Sequence, residues 1–125
     1  MLILNMGNIQ SFKDLIVWQK SMLLAKKVYI LTESYPKNEM YGIVSQMRRA
    51  SVSIPSNVAE GYGRKSRKEY SQFYSIAYGS LLELETQLLL SFDLGFIKET
   101  EFKTINSIRE EVSKMLFTMI EKLKS

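Results

Sequence analysis

The residues in this chain best suited to chemistry are cations. Between positions 48 and 68 stand Arg48, Arg49, Arg64, Lys65, Arg67 and Lys68, six bases against the single acid Glu60. The following stretch, 69–97, holds four acids and no base. The modest net charge of +4 therefore hides a strong local polarity. Four of the six cations crowd the turn after Gly61-Tyr62-Gly63. Arg67 and Lys68 fall in the first turn of a helix whose start is marked by Ser66 and Glu69, a capping-box pair. A helix start already carries positive partial charge, so cations there cost ~0.3–1 kcal/mol each in a free helix. Free amides, dipole and side-chain charge all favour an anion at that place. Two readings stand. Arg48, Arg64, Lys65, Arg67 and Lys68 grip the phosphates of nucleic acid, or the run is a solvated surface patch.

Other chemistry is scarce. The chain has no Cys, which excludes disulfides and thiolate metal sites and fits a reducing compartment. It has no His, which removes the commonest general base, the commonest metal ligand and every Ser-His pair. An enzyme here would have to work through carboxylates, Lys, Tyr or Ser, with Glu83 or Tyr78 as the candidates. Glu83 and Glu85 point to different sides of a helix and make no acid–base couple. The expectation is a binding protein that is not an enzyme and uses no cofactor or metal. Arg49 shares a helix side with Asn57 and Glu60, so it is expected to pair with Glu60 or Glu83 inside the fold as a structural network.

Four amphipathic segments position these groups. The first is expected over Phe12 to Ser34, opening on Ser11 and Asp14, with a stripe of Leu15, Trp18, Met22, Ala25 and Tyr29. Pro36 ends it. The second runs from about Glu39 to Gly61 on a stripe of Ile43, Met47, Ala50, Ile54 and Val58. Pro55 lies inside it and predicts a kink near Ser51 to Pro55, because proline lacks the amide donor. The third runs from Ser66 to about Leu94, where Gly95 closes it, and the fourth from about Thr100 to Leu123. Short connections between long helices predict an all-α, antiparallel up-down-up-down four-helix bundle over residues 12–125. Residues 1–11 are expected to be a loose extension, and translation from Met1 or from Met6 fits equally. No apolar run approaches the ~20 residues of a membrane span, and no signal peptide is recognisable. A cytoplasmic location is the default expectation.

The third segment carries more apolar surface than one bundle can cover. Phe73, Tyr74, Ile76, Tyr78, Leu81, Leu82, Leu84, Leu88, Leu89, Leu90 and Phe92 pass most of the way around the helix. A helix apolar on all sides is buried on all sides, so self-association is expected.

The string Ser45 to Arg64, with Arg48-Arg49-Ala50, Ile54-Pro55 and Ala59-Glu60-Gly61 inside it, carries a family resemblance. So do Asp14 to Gln19 before it and Ile76 to Glu85 after it. Over about Phe12 to Leu123 the chain resembles the four-helix-bundle proteins encoded in intervening sequences of bacterial 23S rRNA genes, often labelled S23 ribosomal proteins. It is also similar to the accessory variability determinant of diversity-generating retroelements, a pentameric barrel that binds nucleic acid and partners a reverse transcriptase. The resemblance implies a homopentamer, contact with RNA or DNA or with a partner protein, and no enzymatic activity. The rival reading is a protein–protein scaffold that touches no nucleic acid.

Overall fold

The computed structural model describes residues 9–124. Of the expected extension, residues 1–8 lie outside the described residues, and with them both candidate start methionines. Ile9 packs against the core, and the amides of Gln10 and Ser11 donate to the Asp14 carboxylate at 2.8 and 3.2 Å.

Among the described residues the chain is all-helical. The helices are α1 (Ile16–Thr32), α2 (Ser45–Tyr62), α3 (Arg67–Asp93) and α4 (Glu99–Leu123). Ser11 and Asp14 do form a capping box, but it closes a separate 3₁₀ turn, Phe12–Asp14. Leu15 is then extended, so α1 begins at Ile16. Pro36 bends the chain into a second 3₁₀ turn, Lys37–Glu39, followed by a π-helical turn, Met40–Val44. The backbone break in this region lies at Gly42, whose φ of −108° and ψ of −117° are not helical. α2 is continuous through Pro55. The kink expected near Ser51 to Pro55 is not shown, and the break at Gly42 lies outside α2 and owes nothing to the proline.

Contacts fix the direction of the helices. α1 packs on α2, α2 on α3, α3 on α4, and α4 back on α1. Ser53 meets Ser80 and Met47 meets Ser91 across α2 and α3. Tyr78 meets Phe117, Glu85 meets Arg109 and Phe92 meets Phe102 across α3 and α4. Numbers rise on one helix as they fall on the other, so these neighbours are antiparallel. The connection between α3 and α4 is five residues, and α3 is ~40 Å long, which leaves no other arrangement.

The core is one cluster drawn from all four helices. It includes Val17, Leu24, Val28, Met47, Ile54, Val58, Leu81, Leu84, Leu88, Val112 and Leu116. The expected α2 stripe is the buried one, with Ile43 at its edge. The expected α1 stripe is not. α1 buries Val17, Ser21, Leu24, Ala25, Val28, Leu31 and Thr32, and leaves Met22 and Tyr29 outside. Ser21 and Thr32 enter the core because each hydroxyl donates to a carbonyl one turn back, Val17 O at 2.6 Å and Val28 O at 2.8 Å.

α3 behaves as its sequence implies. Tyr74, Ala77, Leu81, Leu84 and Leu88 face the core, while Ile76, Leu82, Leu89, Leu90 and Phe92 are exposed on the other side. Among the described residues no helix is long and apolar enough to cross a membrane.

Candidate nucleic-acid interface

The basic turn is held by the meeting of two helices. α2 stops at Gly63, whose amide bonds to the carbonyls of Ala59 and Glu60. Two residues earlier, Gly61 faces the start of α3. A Cβ at Gly61 would lie 2.7 Å from Cε1 of Tyr74 and 3.2 Å from Cβ of Phe73. Only a glycine lets the Tyr74 ring pack this close, and that contact fixes where α3 leaves the turn. Ser66 caps α3 by accepting from the Glu69 amide at 3.2 Å, and its hydroxyl donates to the Glu69 carboxylate.

The four cations of this turn differ in their freedom. The Arg64 guanidinium is clamped, 2.6 Å from a Glu60 carboxylate oxygen and 4.6 Å over the Phe73 ring. Lys65, Arg67 and Lys68 are exposed. Lys65 and Lys68 have no ion-pair partner among the described residues. They flank the first turn of α3, where the positive end of the helix dipole adds to their charge. A shallow cleft of about 390 Å³ adjoins the turn, lined by Ser56, Ala59, Glu60, Gly63 and Arg64.

Arg48 and Arg49 are not part of this cluster. They sit at the opposite pole of α2, sixteen residues or ~24 Å from Arg64. Arg48 is expected from sequence to contact phosphate, yet its side chain is spent within the protein. Its Nε donates to the Thr32 hydroxyl at 3.0 Å, its Nη2 donates to the Tyr29 carbonyl at 3.3 Å, and its guanidinium lies 4.6 Å over the Tyr29 ring. A cation on the last carbonyls of α1 is favourable for the dipole, so Arg48 ties α1 to α2. Arg49, expected to be structural, is exposed and pairs with neither Glu60 nor Glu83. It shares the outer face of α2 with Ser56, Glu60 and Gly63, by spacings of seven, eleven and fourteen residues.

The structural network also differs from expectation. Glu60 is taken by Arg64. Glu83 is exposed and accepts from Gln87 Nε2 at 3.4 Å. The ion pair that reaches into the fold is Arg109 with the half-exposed Glu85, 3.4 Å apart, in which Arg109 is 4% exposed and donates from Nε to Asn106 Oδ1 at 2.7 Å. Arg109 precedes Glu110 and Glu111, so the sequence presents it as part of a solvated charge run. Its position in phase with Ile105, Val112 and Leu116 is the signal that places it inside. No group of three metal-ligating side chains occurs among the described residues.

The model of the 23S rRNA-intervening sequence protein family matches residues 13–118. The chain belongs to that family. The matched region covers α1, α2 and α3 and most of α4, and includes the basic turn and both arginines of the α2 start. A crystal structure of a protein of unknown function from the S23 ribosomal protein family of Bacteroides thetaiotaomicron superimposes with a TM-score of 0.77 at 24% identity, over 84% of this chain and 98% of that one. At that identity the likeness speaks for the family's fold alone. No curated protein matches the chain.

Proposed function

We propose that the chain is a non-enzymatic, self-associating protein that binds phosphates of RNA or DNA through the turn ahead of α3. The observation that carries this reading is the pair of exposed lysines, Lys65 and Lys68, which have no ion-pair partner among the described residues and stand at the positive end of a long helix. Arg64, already oriented by Glu60 and Phe73, and Arg67 extend the same surface. Phosphate is the ligand whose charge and acceptors suit all of these groups at once.

Self-association is supported by two apolar faces rather than one. α3 exposes Ile76, Leu82 and Leu89, and α1 exposes Met22, Leu23 and Ile30. α1 and α3 are diagonal in the bundle, each packing on α2 and α4, so their outer faces look in opposite directions. Two different faces on opposite sides suit a head-to-tail contact, and such contacts close into rings. A ring of five is the assembly that the family resemblance implies. It would repeat the basic turn around its circumference.

The test is a binding assay on a mixed-sequence RNA and its DNA counterpart at low salt. Lys65→Glu with Lys68→Glu is expected to abolish binding while leaving the circular dichroism spectrum unchanged. Wild-type protein that binds neither nucleic acid would leave the scaffold reading in place.

A further inference from the structure

The pole of α2 opposite the basic turn has its own chemistry. Tyr41 is 97% exposed, held out on the π-helical turn where Gly42 breaks the backbone. Beside it a shallow, open cleft of about 370 Å³ is lined by Tyr29, Met40, Tyr41, Val44, Ser45, Arg48 and Arg49. Two of the lining side chains are guanidiniums, and none is a carboxylate. Two are phenols and one is a thioether. The occupant that suits this set is anionic at one edge and planar and unsaturated at the other.

We infer that this cleft takes one unstacked nucleotide of a single-stranded nucleic acid, with its base on the Tyr41 ring and its phosphate at Arg49. Arg48 acts as a positioning residue: its hydrogen bonds to the end of α1 and its stacking on Tyr29 fix the floor of the cleft. Every base has a π-face, so stacking on an aromatic ring tolerates sequence. A duplex keeps its bases stacked inside and cannot offer one to Tyr41. The inference rests on the reading of the basic turn and adds a preference for single strands. Arg49 lies on the outer face of α2 that leads through Ser56 to Gly63, so a strand leaving the cleft meets the basic turn ~20 Å on.

The test compares a fluorescent 12-nucleotide RNA with its complementary duplex and with free uridine monophosphate, in fluorescence anisotropy. Tyr41→Ala is expected to weaken single-strand binding by about 5- to 150-fold, the range for losing one stacked base. Duplex binding stays unchanged, Tyr41→Phe keeps full affinity, and the free nucleotide binds far more weakly than the strand. Tyr41 packs on nothing that the fold needs, so the variant's melting temperature should match wild type. A silent Tyr41→Ala, an equal loss on strand and duplex, or a free nucleotide that binds as tightly as the strand overturns the inference. A change of molar mass in Tyr41→Ala also overturns it, because it reassigns the ring to a contact between copies. If Lys65→Glu with Lys68→Glu abolishes binding and Tyr41→Ala does not weaken it, only this inference fails. If the wild-type protein binds no nucleic acid, both fail.

Discussion

Gly61→Ala isolates the contact that sets the basic turn. The added methyl would lie 2.7 Å from Cε1 and 3.1 Å from Cδ1 of Tyr74. Ordinary carbon–carbon contact is ~3.5–4.0 Å, so ring and helix must part by most of an ångström. Tyr74 is buried and lies alongside Tyr70, with ring centroids 6.5 Å apart, which limits its escape. Overpacking of this kind costs ~1–3 kcal/mol. Alanine regains part of that, up to ~1 kcal/mol, by helix propensity. The net expectation is a loss of ~1–2 kcal/mol, or about 3–8 °C in melting temperature for a domain of this length. The assay is urea unfolding of Gly61→Ala, Tyr74→Leu and the double variant. In the Tyr74→Leu background the closest approach is relieved and only the 3.2 Å contact to Phe73 Cβ remains, so Gly61→Ala should cost much less there, a coupling of ~1–3 kcal/mol. Equal effects of Gly61→Ala in both backgrounds would show that the glycine is not there to admit the ring, and the reasoning about the turn would be wrong.

Three further outcomes follow from the packing. Burial pushes the Tyr74 hydroxyl up to about 12, with smaller contributions from Tyr70 and Tyr62. The unfolded chain releases that proton near pH 10, so the stabilisation is complete below pH 10 and is lost as pH rises towards 12. Stability should therefore fall by ~2–3 kcal/mol across that window, and Tyr74→Phe should flatten the dependence in a pH series of urea melts. Glu85→Ala should cost ~1–3 kcal/mol in the same melts by leaving the buried Arg109 guanidinium without its carboxylate, whereas Arg109→Met with Glu85→Leu should recover most of the loss. Light scattering should give a multiple of the 14.5 kDa protomer mass. Leu82→Glu with Leu89→Glu should return it to the protomer, and a wild-type protein already at protomer mass would refute the apolar-face argument.

Much of the fold is legible because punctuation and period agree. Pro36, the Gly61–Gly63 pair, Ser66 and Gly95 place the helix ends, and α2 shows its buried stripe because polar residues separate the apolar ones. α1 defeats the same reasoning. Val17, Trp18, Met22, Leu23, Leu24, Val28, Tyr29 and Leu31 surround the helix, so several stripes fit equally well. The true one runs through Ser21 and Thr32, whose hydroxyls bond to their own helix and so cease to be polar. In the candidate site, the turn at 63–68 is local and could be read directly. The roles of Arg48 and Arg49 could not. Adjacent residues differ by about 100° around a helix, and which of them meets α1 depends on how the chain turns at Gly42. The sequence does not signal that turn, nor the exposure of Tyr41 that follows from it.

The central claim is that charge on the turn ahead of α3 meets phosphate, and its most direct measure is the salt dependence of binding. Each phosphate neutralised on a single strand contributes about −0.7 to the slope of log affinity against log salt. Lys65, Lys68 and one of the neighbouring arginines then give a slope of about −2 or steeper. Wild-type protein is expected to show that slope between 50 and 500 mM salt, roughly a hundredfold loss of affinity. A slope near zero, or one that Lys65→Glu with Lys68→Glu leaves unchanged, would contradict it.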